Sequence, residues 1–132
     1  FTSRQGIGVK DYHNLANDQT MLIILIEDII AVENLDSILE VDNIDVFFLA
    51  SGDLAQSMGF PGQNDNKEVQ KVVDESLKRI SAKGKISGAI GNKGNVKSLY
   101  ENGVKFYLCD PRPYMAEGFQ KYQDFAQKAL DK

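Results

Sequence analysis

Two apolar runs, each followed by an acidic residue, constrain the fold of this 132-residue chain most strongly. The first covers residues 21–26 and leads directly into Glu27, and the second covers residues 46–50 and is followed shortly by Asp53. Runs without polar positions are typical of central strands in parallel sheets, which are covered on both faces. Ligands bind at the carboxyl ends of such strands. Two carboxylates at neighbouring strand ends are therefore a candidate site for a hard divalent cation.

Strand-like and helix-like segments alternate along the chain, which is the pattern of βα units around parallel strands. The predicted strands cover residues 21–26, 46–50, 85–90 and 104–109, and helical spacing of apolar residues follows each of them, at residues 31–39, 69–80, 96–100 and 115–130. Four βα units make half of an eight-stranded barrel, because a complete one takes about 250 residues. The pattern favours an α/β fold in one domain, residues 1–132.

Local signals mark the ends of two predicted helices. Asp65 or Asn66 is a candidate N-cap for the long helix at residues 69–80, and Gly84 is its candidate end. The segment Asp-Pro-Arg-Pro at residues 110–113 is expected to end the fourth strand before the last helix.

Charge and cysteine content exclude several classes of function. The net charge of −4 and the pI near 4.9 argue against a nucleic-acid surface, which needs clustered Lys and Arg. The loose group Lys83, Lys85, Lys93 and Lys97 is interpreted as a solvated face. Cys109 is the single cysteine, so neither an internal disulfide nor a cysteine-based zinc site can form.

The same features favour a cytoplasmic protein. A lone cysteine suits a reducing compartment. No apolar run reaches the roughly 18 residues of a membrane span, and residues 1–20 lack the layout of a signal peptide. We therefore expect no membrane partner.

A set of short segments resembles the HpcH/HpaI aldolase family, which contains class II pyruvate-dependent aldolases and shares a superfamily with citrate lyase β subunits. The segments that carry the resemblance are Leu-Ile-Glu at 25–27, Val-Glu-Asn-Leu-Asp-Ser-Ile at 32–38, Ile-Asp-Val-Phe-Phe-Leu at 44–49, Gly-Asp-Leu-Ala-Gln-Ser-Met-Gly at 52–59, Pro-Gly-Gln at 61–63 and Glu-Val at 68–69. The resemblance covers roughly residues 12 to 109.

This resemblance implies a TIM (β/α)8 barrel of which the chain forms the carboxyl-terminal half, strands five to eight. It implies that Glu27 and Asp53 bind a divalent cation, Mg²⁺, Mn²⁺ or Co²⁺, and that the backbone amides of Gly52 and Asp53 receive the carboxylate of pyruvate. The family's catalytic base and its substrate-binding arginine lie in the first half of the barrel, outside this chain. The implied reaction is reversible cleavage of a 4-hydroxy-2-oxo acid to pyruvate and an aldehyde, in a homo-oligomer.

Two other functions stay open beside the aldolase. The chain departs from the family pattern at Leu25, Ala50, Ser51 and Ala55, which favours a non-catalytic barrel fragment that acts as a binding or assembly module. An acyl-CoA lyase-type relative is the other alternative. Glu27 and Asp53 also have a structural interpretation, because acids after strands often cap the next helix and meet its dipole.

Other polar residues have structural interpretations that we favour over catalytic ones. His13 is expected at the surface or beside a helix, Arg4 in solvent, and Asp28 at a helix cap or behind the metal ligands. Asp110 and Arg112 are expected in a turn between two prolines.

Two apolar features complete the interpretation. Cys109 is expected to be a buried filler, although its position after the fourth strand is compatible with the barrel mouth. The stripe of Phe119, Tyr122 and Phe125 is expected to be mostly core, with a further role in an oligomer interface.

Overall fold

The computed structural model describes residues 6–130, which form a parallel four-stranded sheet with helices between and after the strands. The elements are α1 (Tyr12–Gln19), β1 (Ile23–Ile26), α2 (Ile29–Glu33), α3 (Leu35–Leu39), β2 (Val46–Leu49), α4 (Ser51–Ser57), α5 (Lys67–Ala82), β3 (Ser87–Ile90), α6 (Val96–Glu101), β4 (Phe106–Leu108) and α7 (Arg112–Leu130). The strand order is β1-β2-β3-β4, with each strand parallel to its neighbour. The predicted α/β fold with consecutive parallel βα units is therefore confirmed.

The register brings all four carboxyl ends to one edge of the sheet. Ile26 at the end of β1 pairs with Leu49 of β2, and Leu49 pairs with Ala89 of β3. Ile90 at the end of β3 pairs with Leu108 of β4. Residues that follow these strands consequently share one edge, where parallel α/β proteins bind ligands.

The hydrophobic core lies between one face of the sheet and the helices that connect the strands. Phe47 and Leu49 of β2 are 0% and 1% exposed, and they belong to the same buried cluster as Leu77 of α5. The rest of this cluster comes mainly from β1, α3, α4 and α5, at Ile26, Leu35, Leu39, Leu54, Val69, Val73 and Ile80. Burial of this apolar area stabilises the helical layer on the sheet.

The opposite face of the sheet is closely packed at its centre and open at its edge. The rings of Phe48 and Phe106 meet edge to face, with centroids 6.3 Å apart. A Cβ at Gly88 would lie 2.7 Å from the Phe48 ring, so this position needs glycine. Leu25 of β1 is 55% exposed. The prediction that both faces are buried is thus confirmed for β2. For β1 it is wrong, because β1 is an edge strand of the described sheet.

Helix α5 shows how local signals and packing agree. Its N-cap is Asn66, whose side chain accepts a hydrogen bond from the backbone N–H of Glu68 at 2.9 Å. Gly84 follows the helix with a φ of 72°, a left-handed conformation that favours glycine. Of the two residues predicted as candidate caps, Asp65 and Asn66, the structure uses Asn66, and Gly84 lies at the end of the helix as predicted.

The segment predicted as one helix at residues 31–39 consists of two short helices that meet at Asn34. The Asn34 side chain donates to the carbonyl of Ile30 at 2.8 Å, and Ser37 donates to the carbonyl of Asn34 at 2.8 Å. Such side-chain bonds compete with the regular helical pattern. Helices α1 and α4 were not predicted; Gly52 lowers the helix propensity of α4.

Helix α7 differs most from its prediction. It begins at Arg112 and so includes Pro113 in its first turn, where the missing N–H of proline costs nothing. Phe119, Tyr122 and Phe125 are 66%, 70% and 70% exposed, so the expectation that they are mostly core is wrong within residues 6–130. No described element packs on that stripe. No helix among these residues is long and apolar enough to cross a membrane.

Candidate functional site

Glu27 and Asp53 lie at the same edge of the sheet, after neighbouring strands. Glu27 directly follows the last residue of β1, and Asp53 is in the first turn of α4. The backbone N–H of Ala50 donates to the carbonyl of Ile26 at 3.2 Å, so the chain stays beside β1 as it enters α4. Helix α4 is in turn anchored by Leu54 and Ala55, which are both 0% exposed. The two acids therefore follow segments of backbone that buried residues hold in place.

The orientation of Glu27 follows from the alternation of side chains along a strand. Ile26 is 1% exposed and faces the helical layer, so Glu27 continues toward the opposite face, as Leu25 does. Glu27 is half-buried, whereas Asp53 is exposed. Within residues 6–130, neither carboxylate has a hydrogen-bond or ion-pair partner. Both oxygens of each group are available to a ligand.

The capping role belongs to Asp28. Its carboxylate accepts from the backbone N–H of Ile30 at 2.7 Å, which makes it the N-cap of α2 and confirms the expected cap. The interpretation of Glu27 as a cap is therefore wrong. Asp53 is also not a cap, since the N-cap of α4 is Ala50, although an acid in the first turn meets the helix dipole favourably.

The donor set fits a hard divalent cation. Carboxylate oxygens are preferred ligands of Mg²⁺, which is usually held by one or two carboxylates together with water and substrate oxygens. Among the described residues there is no group of three or more His, Cys, Asp or Glu side chains that could hold a metal. This part of the protein supplies two carboxylates, and the remaining ligands have to be water, substrate or residues outside the described range.

The backbone amides beside Asp53 are free of helical hydrogen bonds. Leu54 donates the first bond of α4, to the carbonyl of Ala50 at 3.1 Å. The N–H groups of Gly52 and Asp53 precede that bond and are among those that a helix leaves unpaired. A Cβ placed on Gly52 would have no heavy atom within 4 Å, so the space beside these amides is open.

Comparison with known proteins decides the family. The family model described as HpcH/HpaI aldolase/citrate lyase matches residues 2–104, more than half of the chain. The chain belongs to this family. Curated relatives include a 2-keto-3-deoxy-L-rhamnonate aldolase of Klebsiella pneumoniae subsp. pneumoniae, 45% identical over 80 residues, and one of Escherichia coli, 38% identical over 80 residues. Each match covers 61% of this chain and 30% of the relative.

Solved structures of the HpcH/HpaI aldolase/citrate lyase family agree with the fold. The crystal structure of citrate synthase SbnG is 26% identical with a TM-score of 0.75, over 90% of this chain and 49% of that one. An HpcH/HpaI aldolase/citrate lyase family protein from Burkholderia cenocepacia reaches a TM-score of 0.79 at 19% identity, which shows the fold alone. The chain thus spans about half the length of these barrel-type structures, as expected for a partial barrel.

Other residues considered from the sequence lie elsewhere. His13 is exposed in α1, where its ring meets Tyr12 edge to face at 5.7 Å. Arg4 lies outside the described residues. Cys109 is exposed, so its interpretation as a buried filler is wrong; it follows the three-residue edge strand β4, where little packs over it.

Charged groups near the ends of β3 and β4 are already paired. Arg112 donates to both carboxylate oxygens of Asp110 at 2.7–3.0 Å, and these bonds lower the pKa of Asp110. Lys93 binds Glu117 at 2.8 Å. Hydrogen bonds from Lys121 and Lys93 lower the pKa of Glu117 to about 2.

The lysine group also disperses into separate contacts. Lys83 binds Glu40 at 2.8 Å, Lys97 lies 3.9 Å from Glu101, and Lys85 lies over the ring of Phe47. These contacts agree with the interpretation of a solvated face.

One set of residues at this edge was not predicted to take part in a site. Asn92 and Asn95 follow β3 and form a turn through their own side chains, and they line the same pocket as Ser51 and Gly52. The sequence signal was an Asn-rich turn directly after an apolar strand, which is common in plain connecting loops.

Proposed function

We propose that this chain is the carboxyl-terminal half, strands five to eight, of a metal-dependent aldolase, which reversibly cleaves a 4-hydroxy-2-oxo acid to pyruvate and an aldehyde. The observation that carries the proposal is the pair Glu27 and Asp53, two carboxylates without protein partners among residues 6–130, at adjoining strand ends in a chain of this family. The names of the relatives, 2-keto-3-deoxy-L-rhamnonate aldolases, support the reaction class.

In this proposal Glu27 and Asp53 hold the divalent cation, which is Mg²⁺, Mn²⁺ or Co²⁺. The half-buried Glu27 and the exposed Asp53 reach it from two separate strands. A cation held by these two carboxylates would supply Lewis-acid chemistry to the keto group of an oxo acid. The buried Leu54 and Ala55 behind Asp53 keep its carboxylate in place.

The backbone amides of Gly52 and Asp53 bind the carboxylate of the oxo acid. They belong to the first turn of α4 and are not used by its helical bonds, which begin at Leu54. Gly52 leaves the approach open because it has no side chain. The base that moves the methyl proton and the arginine that balances the charge are expected outside this chain.

Proton exchange at the methyl group of pyruvate in heavy water tests the proposal in the complete protein. NMR monitors the exchange. We expect exchange in the presence of Mg²⁺ or Mn²⁺ and none after a chelator is added. Glu27→Gln removes one carboxylate and is expected to abolish the exchange. Asp28→Asn is the matched control, because an asparagine at this cap still accepts the hydrogen bond from Ile30.

Different outcomes separate the alternatives. Exchange that is absent with every metal contradicts the aldolase and favours the non-catalytic module. Activity with CoA thioesters without exchange of free pyruvate favours the acyl-CoA lyase-type relative. Leu25 bears on this choice, since an exposed leucine on the same side as Glu27 offers no hydrogen bond to a substrate.

We also propose a homo-oligomer in a cytoplasmic compartment. The oligomer is supported by the exposed apolar residues of α7, and the compartment by the exposed thiol of Cys109, which suits reducing surroundings. Light scattering of the purified protein tests the first, and cell fractionation the second.

A further inference from the structure

A hydrogen bond joins the end of α4 to the beginning of α2. The hydroxyl oxygen of Ser57, the last residue of α4, accepts from the backbone N–H of Ile29, the first residue of α2, at 3.0 Å. An N–H group in the first turn of a helix has no partner within that helix. The next N–H, that of Ile30, is bound by the local cap Asp28. The start of α2 is thus held both by its own turn and by a side chain of α4.

The two acids of the candidate metal site lie between this bond and a second one. Directly before α4, the backbone N–H of Ala50 donates to the carbonyl of Ile26 at 3.2 Å. Glu27 follows Ile26 in the chain, and Asp53 lies between Ala50 and Ser57. The two hydrogen bonds therefore close a ring of backbone that contains both acids.

We propose that Ser57 is a positioning residue of the metal site: its hydrogen bond to α2 fixes the separation of the Glu27 and Asp53 carboxylates and thereby sets the affinity for a divalent cation. This inference rests on the proposed function only in that the two carboxylates hold the cation. It does not depend on the reaction or on the oxo acid.

The separation of the two carboxylates matters because of the coordination geometry of the ion. Mg²⁺ demands nearly octahedral geometry with oxygens at about 2.0–2.1 Å, so ligand oxygens in neighbouring positions are about 3 Å apart. Glu27 follows a strand and Asp53 lies in a helix, so a shift of α4 relative to β1 changes their separation. Ser57 lies one turn after Asp53 on the same face of α4. A bond at Ser57 therefore opposes movement of the face that carries the carboxylate.

Apolar packing does not replace this bond. Leu54 and Ala55 are 0% exposed and hold α4 on the core, but apolar contacts have no preferred direction. A hydrogen bond has a defined length and angle. Ser57 itself is exposed, so without its hydroxyl group the N–H of Ile29 is open to water and the cost in stability is small. We therefore expect loss of the hydroxyl to affect the metal site more than the fold.

Binding of Mn²⁺ to the complete protein, measured by EPR of the free ion, tests the inference without turnover. We expect Ser57→Ala to weaken Mn²⁺ binding by about 10- to 100-fold, the usual effect of losing a group that orients a metal ligand. Ser57→Thr keeps a hydroxyl group and is expected to bind Mn²⁺ as the wild type does. Glu27→Gln identifies the site, because it is expected to abolish this binding.

Ser37→Ala is the matched control. Ser37 is also an exposed serine of a short helix with one hydrogen bond, to the carbonyl of Asn34 at 2.8 Å. We expect it to keep the wild-type affinity for Mn²⁺, with a similar change in urea unfolding to that of Ser57→Ala. The proposal is overturned if Ser57→Ala binds Mn²⁺ as the wild type does, if Ser57→Thr binds as weakly as Ser57→Ala, or if Ser57→Ala does not fold.

Proton exchange at the methyl group of pyruvate separates this inference from the proposed function. Exchange in the wild type with unchanged Mn²⁺ affinity in Ser57→Ala supports the aldolase and overturns the role of Ser57. Mn²⁺ binding that depends on Ser57, without exchange, supports this role and contradicts the aldolase. A wild-type protein that binds no Mn²⁺ overturns both. If both are correct, saturating Mn²⁺ restores the exchange rate of Ser57→Ala, because the hydroxyl group acts on affinity and not on the reacting atoms.

Discussion

The region around α4 and α5 and the helix α7 use their side chains in opposite ways. In the first region apolar residues such as Leu54 and Leu77 are 0% exposed, while the carboxylate of Asp53 has no partner among the described residues. In α7 no residue is buried and Phe119 is 66% exposed, while Glu117 is paired with two lysines. In the first region, buried apolar residues thus support a carboxylate that is available to a ligand. In α7, the charged groups are paired and the exposed apolar side chains are available to another protein surface.

The largest expected effect concerns the free carboxylate. Asp53→Asn is expected to lower metal-dependent exchange of pyruvate protons by on the order of 100-fold or more, because loss of a ligand costs at least as much as loss of a group behind it. NMR of the methyl signal in heavy water measures it. Asp110→Asn changes an acid that is already paired with Arg112, and we expect little change. If Asp53→Asn and Asp110→Asn lowered the exchange equally, the free and the paired carboxylate would not differ in function, and the comparison of the two regions would be contradicted.

The next effect is on folding stability. Leu54→Ala is expected to lower the free energy of unfolding by about 2–5 kcal/mol, since it leaves a cavity beneath the site. Phe119→Ala removes an exposed ring from α7. It is expected to change the free energy of unfolding of a monomer by less than about 0.5 kcal/mol. Urea unfolding at low protein concentration measures both. A large loss for Phe119→Ala would show that its ring is covered, as in an oligomer.

Substitution of two glycines by alanine is expected to change the free energy of unfolding in opposite directions. Gly88→Ala places a methyl group 2.7 Å from the Phe48 ring and is expected to destabilise by about 1–3 kcal/mol. Gly118→Ala in α7 meets no heavy atom within 4 Å and is expected to stabilise the helix by up to about 1 kcal/mol. Thermal unfolding followed by circular dichroism gives both signs. Destabilisation by Gly118→Ala would indicate close packing against α7.

The smallest expected effect is the pH dependence of the ion pairs that Glu117 of α7 forms with Lys93 and Lys121. The pKa of Glu117 is lowered to about 2 from a usual 4.5 by its bonds to Lys121 and Lys93. Its ion pairs therefore stabilise fully above about pH 4.5, and that contribution is lost as the pH falls toward 2. We expect the Cα chemical shifts of α7 to move toward coil values in this range before those of α5. Glu117→Gln is expected to abolish the difference between the helices.

The elements that could be predicted from the sequence are those with strong local patterns. The all-apolar run of β2 and the helical spacing of Val69, Val73 and Leu77 in α5 admit few other structures, and a capping asparagine and a glycine mark the ends of α5. Helix α4 escaped prediction because Gly52 weakens its propensity and its stability comes from burial of Leu54 and Ala55 against other elements. The break at Asn34 likewise depends on side-chain bonds that have no periodic signal.

The sequence by itself determined the parallel βα order and the positions of Glu27 and Asp53 at strand ends, because apolar periodicity and polarity are local properties. The tertiary structure decided which acid caps a helix, which charges are already paired and which apolar side chains stay exposed. It also brought Asn92, forty residues beyond Gly52, to the lining of the same pocket. These features depend on the register of the strands and on distances between residues far apart in the chain, which a linear pattern does not contain.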